Sequence, residues 1–293
     1  MVFRQITAKD LIGLKKYFVR DYGICDYTFG ANFMWYDYFD SYFGTTSNDM
    51  LIIMSDNGKN FSYPIGAGDA DVALNDVESY AKSTNKPLVL DRVPKVRLDE
   101  VAARYKECRV IKHDEYFDYV YDIDGLSELV GKKYHGVRNH INKLIREYPD
   151  IEFRLIEDKD IAAVKEFFGE YVASYDKGMR SFDHDNMATM RVLDSFGQLG
   201  MVGGAAFLGD KVLGFAIGEM GDSEDKMFFV HIEKCSRQVP SVSKLVVREF
   251  AKVAKSMGAK YINRAEDMGD PGIRYSKEQY NPCRLEYKYK ILN

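Results

Sequence analysis

The run MFFVHIEKCSRQVPSVSKLVVREFAKVAKSMGAKYIN, residues 227–263, decides how this chain folds. Met227 to Ile232 is an apolar run short enough for a buried strand. A polar loop, Glu233 to Pro240, follows it, and the helical period then runs from Ser241 to Met257. Gly258 closes that helix as a C-cap, and Tyr261-Ile262-Asn263 reads as a second short strand. Downstream, Gly272 to Glu278 is a short helix and Leu285 to Leu292 a final strand. Upstream, Glu152 to Ile156 is a strand, and Asp158 or Asp160 opens a helix to about Tyr175. A helix over Asp185 to Gln198 and strands over Met201 to Leu208 and Val212 to Gly218 complete the order β-α-α-β-β-β-α-β-α-β. That order describes an α/β layer built on an antiparallel meander and excludes a Rossmann alternation.

The first half repeats the plan less clearly. Thr7 caps a helix to about Arg20, and the aromatic run Asn32 to Phe43 reads as a second. Leu51 to Met54 and Phe61 to Ile65 flank the turn Asp56-Asn57-Gly58 as a hairpin. A helix over Asp71 to Ser83, a strand over Pro87 to Leu90, a helix over Val96 to Tyr105 and a strand over Tyr116 to Tyr121 follow. The aromatic side chains at 29–43 are expected to form core and domain interface. The chain thus reads as two halves, 1–130 and 131–293, joined by a basic linker helix at 131–150.

Composition narrows the function. The 293 residues carry a net charge of −4, so the whole chain is no generic polyanion binder. The charge is unevenly spread: Gly131 to Arg146 holds Lys132, Lys133, Arg138, Lys143 and Arg146 and no acid. Cys25, Cys108, Cys235 and Cys283 never form a C-x-x-C pair, which suits reduced, packed thiols in a cytoplasmic protein. No apolar run approaches the ~20 residues that span a bilayer, so no transmembrane segment and no signal peptide are expected. His135 and His140 are off the i, i+4 spacing and no acid joins them, so no metal is expected. His231 reads as an interior histidine, and Cys283 lacks a basic partner to activate it.

Two places carry chemistry. The start of the long helix, Arg237 to Lys244, offers the backbone N–H groups and positive dipole end that bind anions; an ordinary Ser-capped helix fits the same residues. The second is YINRAEDMGDPGIRYSKEQYNPCRLEYKYK from Tyr261, a strand ending in Asn263, Arg264, Glu266 and Asp267 before the turn Asp270-Pro271-Gly272. There Arg264 can clamp a carboxylate, phosphate or carbonyl oxygen, and Glu266 or Asp267 can take a proton. The same residue types suit an ion-pair knot in which Arg264 locks the two acids.

The element order over 151–293 resembles the GNAT acyltransferase fold, whose strands splay to admit a pantetheine arm. Across nearly the whole chain, TFGANFMW (28–35), EYFDYVYD (115–122), KK…RN (132–139), YINRAEDMG (261–269) and IRYSK…YNP (273–282) resemble the phosphatidylglycerol lysyltransferase C-terminal-domain family. The resemblance implies a tandem duplicated GNAT-like α/β (α+β) fold, with mixed, mostly antiparallel sheets flanked by helices, as in Fem-type peptidyltransferases. It implies a degenerate first domain and a site in the second. Membrane-bound members of the family transfer an aminoacyl group from aminoacyl-tRNA to a lipid hydroxyl.

The function expected first is an acyltransferase using coenzyme A or acyl-CoA and a small-molecule amine or hydroxyl acceptor. The cofactor would lie along Val230, Ile232, Val239, Ser241, Val242, Ser243, Lys244 and Asn263. Pro240 and Val242 stand where the fold usually has glycine. Arg264, Glu266 and Asp267 would act on the reacting groups, with Tyr275 as acid. The resemblance adds Lys133, Arg138, Asn139, Arg274 and Tyr280 as substrate-binding residues. The alternatives are an aminoacyl-tRNA-dependent transferase, with tRNA on helix 132–146, and a ligand-binding module without chemistry.

Overall fold

The computed structural model describes residues 1–113, 115–174, 180–222 and 224–293. Among them, the first part of the chain forms β1 (Arg4–Gln5), α1 (Ala8–Leu14), α2 (Phe29–Trp35), β2 (Tyr42–Thr45), β3 (Leu51–Ser55), β4 (Asn60–Ser62), α3 (Ala70–Ser83), β5 (Val89–Pro94), α4 (Lys95–Arg104) and β6 (Arg109–Lys112). Then come β7 (Asp118–Asp122), α5 (Ile123–Glu128), α6 (His135–Glu147), β8 (Ile151–Leu155), α7 (Ile161–Ala173) and α8 (Arg180–Leu199). The last part forms β9 (Val202–Leu208), β10 (Lys211–Met220), β11 (Met227–Cys235), α9 (Val242–Ser256), β12 (Tyr261–Asn263), α10 (Pro271–Glu278), β13 (Arg284–Glu286) and β14 (Lys288–Leu292).

The strands make two seven-stranded mixed sheets with the same plan. In the first, β1 to β4 run as an antiparallel meander, β4 pairs with β5 in parallel, and β14 lies between β5 and β6. In the second, β8 to β11 form the meander, β11 pairs with β12 in parallel, and β7 lies between β12 and β13. Each sheet therefore takes one strand from the other half of the chain. The halves expected at 1–130 and 131–293 are interlocked: β7 completes the second sheet and β14 the first.

Local chemistry explains most boundaries. Thr7 closes a capping box with Asp10, and Asp270 caps α10 through the N–H groups of Gly272 and Ile273. Gly258 ends α9 at φ 92°, the left-handed region that glycine enters without a Cβ clash. The expected helix over Asn32 to Phe43 is instead α2 followed by β2. Its aromatics fit helical spacing, but Asp40 turns to φ 46° and the chain re-enters as a strand with Phe43 in the core. The expected single strand over Leu285 to Leu292 breaks at Tyr287 into β13 and β14, which lie in different sheets. The expected end of α7 at Tyr175 lies outside the described residues.

One apolar cluster joins the two sheets, packing Phe29 and Phe33 of α2 with Phe168, Leu193, Phe196, Phe215 and their neighbours. A second lies under α5, α6 and α9 on the other face of the second sheet. The contact between the halves is close at Gly30, where an added Cβ would stand 2.5 Å from the His231 ring and 2.7 Å from the Met201 methyl. Glu219 Oε1 accepts the Gly30 N–H at 2.6 Å and lies 2.9 Å from His231 Nε2, so His231 is an interior partner of α2. Gly30→Ala should destabilise the chain by about 1–3 kcal/mol in urea unfolding, because neither ring nor methyl has room to retreat.

Candidate functional site

The parallel pair at the centre of the second sheet is short. β11 meets β12 only at Met227, Phe228 and Phe229; β12 then ends while β11 runs on to Cys235 with its edge open on that side. Strands that part beyond their carboxyl ends leave a crevice where α/β proteins place sites. A bulge in β11 opposite Ile217 and Gly218 sends the Val230 and Ile232 side chains into cores on opposite faces, which leaves their backbone edge toward the gap.

Arg264, the first residue after β12, reaches across the gap. Its Nε donates to Glu233 Oε1 at 3.0 Å and its Nη2 to Oε2 at 2.5 Å. The Tyr280 ring lies 4.8 Å and the Tyr121 ring 5.6 Å from the guanidinium carbon. Burial opposes the charge of Arg264, which is only 7% exposed, but Glu233 more than offsets that and raises its pKa. Its remaining nitrogen, Nη1, is buried without a hydrogen-bond partner. A buried charged donor left unpaired costs more than the roughly 1–3 kcal/mol of a neutral one, a cost that an oxygen acceptor beside it would remove.

The other residues expected beside Arg264 point elsewhere, Asn263 because it ends β12 and alternates with its neighbour, the rest because they lie beyond the strand. Asn263 turns to the opposite face, donating to Asp118 Oδ2 at 2.8 Å and to the Gly23 carbonyl at 3.0 Å. Glu266 joins it there. Its Oε2 is 2.7 Å from the Nζ of Lys288, which also meets Asp26 at 2.6 Å, Asp118 at 2.8 Å and Cys25 Sγ at 3.5 Å. Arg92 pairs with Asp26 on the far side.

Ligand atoms of Cys25, Asp26, Asp118 and Glu266 lie within 4.8 Å of one another, a spacing that would suit a metal ion; the Lys288 ammonium stands among them as the cation. Burial, with Asp118 adding to it, pushes the Cys25 thiol well up, so it stays protonated and unreactive. Burial alone would raise Asp26, but Lys288 and Arg92 hold its carboxyl far below the usual range.

Asp267 is also committed. It accepts from the Tyr119 hydroxyl at 2.6 Å, from Arg274 Nε at 2.7 Å and from the Gly269 N–H at 2.9 Å. Burial works against its charge, yet Arg274 and Tyr119 lower its pKa, leaving a poor proton acceptor. Tyr275 is 68% exposed on the outer side of α10 and does not approach Arg264; Lys277 on the inner side of α10 and Tyr280 just past its end are the buried residues. The structure thus brings Arg264 and Tyr280 together and separates Glu266, Asp267 and Tyr275 from them.

α9 starts past the loop 236–241 that follows β11. Ser241 has φ 73° and leaves the helix without a side-chain cap; its Oγ lies 3.3 Å from His140 Nδ1 of α6. Val242 is buried, Val239 and Lys244 are half-buried and Ser243 is exposed. α6 therefore runs beside the N-terminal end of α9. Lys132, Lys133, Lys143 and Arg146 are exposed and ion-paired with none of the described residues. Arg138 is different: it caps the end of α5 through the carbonyls of Leu129 and Gly131. Asn139 bonds His135 at 3.0 Å. The four cysteines are all free, and Cys283 is exposed.

The model of the family described as "Phosphatidylglycerol lysyltransferase, C-terminal" matches residues 19–292. The chain belongs to that family. Among solved structures, a conserved protein of unknown function from Bacteroides thetaiotaomicron is 26% identical and covers 99% of this chain and 98% of its own, with a TM-score of 0.87. The L-PGS of Bacillus licheniformis, at 16% identity, covers 87% and 84% with a TM-score of 0.64; FemX, at 10%, covers 99% and 97% with 0.62. These two share the fold, which is tandem GNAT-like. An uncharacterized protein of Mycoplasmoides gallisepticum is 22% identical over 206 residues, a match that spans 70% of this chain but only 64% of that relative's length. As a phosphatidylglycerol lysyltransferase C-terminal-family member of this fold, the chain is related to transferases. Among the described residues no helix is long and apolar enough to cross a membrane.

Sequence reasoning missed Glu233, Tyr121, Lys277 and Lys288. An acid placed directly after the apolar run 227–232 was the visible signal for Glu233; a lysine inside a strand, as at 288, ordinarily reads as exposed.

Proposed function

We propose that the chain transfers an aminoacyl group from aminoacyl-tRNA to an amine or hydroxyl acceptor in the crevice between β11 and β12. The observation that carries this reading is the four unpaired cations of α6 and the turn before it, Lys132, Lys133, Lys143 and Arg146, with the uncapped start of α9 against the same helix. Four exposed cations without carboxylate partners suit RNA phosphates, and the adjoining helix end suits the phosphate nearest the reacting ester. The family's description, which names lysyl transfer, supports an aminoacyl donor.

A coenzyme A donor has weaker support at this helix start. Pro240 offers no N–H, and the buried Val242 side chain stands where the fold usually has a glycine against the pyrophosphate. In the aminoacyl reading, Glu233 orients Arg264, and Arg264 Nη1 donates to the ester carbonyl oxygen as negative charge develops there. Tyr280 and Tyr121 wall that oxygen from water.

Filter binding with total aminoacylated tRNA tests the reading. Affinity should fall steeply with salt, and Lys132→Glu with Lys133→Glu should weaken it and reduce the salt slope by about 1 for each phosphate no longer neutralised. Salt-insensitive binding, or micromolar coenzyme A binding by calorimetry with no tRNA binding, would overturn it.

A further inference from the structure

We propose that Lys277 is the general base of the transfer, taking the proton of the incoming amine or hydroxyl; this rests on the aminoacyl-transfer reading above. Lys277 lies on the inner side of α10, 9% exposed, one turn before Tyr280. Its Nζ donates to the backbone carbonyls of Arg264 and, at 3.1 Å, of Ala265. A neutral amine has two N–H bonds and one lone pair. Two carbonyls taking the two hydrogens turn the lone pair away from both, beside the residue that carries the oxygen-binding Nη1.

The charges that act on this nitrogen are those of Arg264 and Glu233 and, more weakly, Asp118 of β7 and Cys25 before α2, and the Tyr119 ring lies 5.6 Å away. None of the described carboxylates pairs with it directly, and Glu233 is held at both oxygens by Arg264. Burial and the Arg264 charge push Lys277 down to about 8. Lys288, buried still more deeply, touches three carboxylates and is raised well above the ordinary lysine value. Two lysines with opposite surroundings divide the roles of proton acceptor and fixed cation. Elimination agrees, since Glu266 is spent on Lys288 and Asp267 on Tyr119, Arg274 and Gly269.

In the step itself, neutral Lys277 takes the proton as the nucleophile's nitrogen or oxygen bonds to the ester carbon. The resulting oxyanion sits against Arg264. The bond from carbon to the ribose oxygen then breaks, and the Lys277 ammonium returns the proton to that oxygen, so the amine ends neutral.

Two measurements test this. In protein labelled with ¹³C,¹⁵N-lysine and free of substrate, the Lys277 resonance, assigned by its loss in Lys277→Arg, should titrate near 8; a midpoint near the ordinary lysine value overturns the proposal. In aminoacyl-tRNA transfer, the wild-type rate should rise with pH and level off near 8. Lys277→Met should be about 100-fold slower or worse and lack that limb. Lys277→Arg, which keeps the charge but cannot release a proton, should be equally slow while unfolding at the wild-type temperature. A variant that retains the rate and the limb overturns the proposal. Wild-type protein inactive at every pH would instead refute the aminoacyl-transfer reading, and the titration would still decide the state of Lys277.

Discussion

Lys288→Met will cost the chain about 3–5 kcal/mol of folding stability, the loss seen when one partner of a buried ion pair is removed. Lys288 is wholly buried, and its ammonium is the charge that Asp26, Asp118 and Glu266 share. Without it, Arg92 remains only for Asp26. The lysine also opens β14, the strand exchanged into the first sheet, while Asp118 opens β7, the strand exchanged into the second. The cluster therefore ties the two crossings together. The pH dependence should invert. In the wild type the depressed Asp26 contributes stability that is present above the unfolded carboxylate pKa and is lost as pH falls through the folded value. In Lys288→Met the stranded carboxylates bind protons more readily folded than unfolded, so stability should rise as pH falls from 7 toward 5. Urea unfolding at both pH values checks this; a variant within 1 kcal/mol of wild type (the order of an ordinary surface substitution) would show that the cluster is not the staple of the exchange.

Arg264→Met should lower the transfer rate by about 100- to 1000-fold, the range for removing one donor aimed at a developing oxyanion. The effect should appear mainly in kcat, because the donor acts when charge builds on the carbonyl. Arg264→Lys should not restore the rate: one ammonium cannot hold Glu233 bidentately and still point a donor at the oxygen. Glu233→Gln should also slow transfer, by freeing the guanidinium to rotate. Steady-state kinetics on the three variants decides between this account and a structural ion pair, for which Arg264→Met would lower the unfolding temperature and leave kcat of the folded fraction unchanged.

Much of the second sheet was legible because each element is local. The strand, loop and helix of residues 227–258 are set by apolar period, Pro240 and Gly258, and α10 starts at Asp270-Pro271 where its cap and fixed φ dictate. The strand exchange was not legible. Pairing between residues 118–122 and 261–263, or 288–292 and 89–94, is a long-range choice that no local pattern records. The candidate site was half legible for a simpler reason. Asn263, Arg264, Glu266 and Asp267 are adjacent in sequence, but strand alternation sends Asn263 and Arg264 to opposite faces, and Ala265 at φ 55° redirects the chain so that Glu266 meets Lys288. The ion-pair knot anticipated from residue types, with Arg264 locking Glu266 and Asp267, does not form: Arg264 pairs with Glu233, Glu266 with Lys288 and Asp267 with Arg274.

The measurement that bears most directly on the aminoacyl donor is the rate of ester loss from total aminoacyl-tRNA in excess hydroxylamine, beside the rate of thioester loss from acetyl-coenzyme A under the same conditions. The chain should accelerate loss of the tRNA ester, Arg264→Met should abolish that acceleration, and the thioester should decay at its uncatalysed rate. Acceleration of the thioester with none of the tRNA ester would contradict the account and return the crevice between β11 and β12 to coenzyme A.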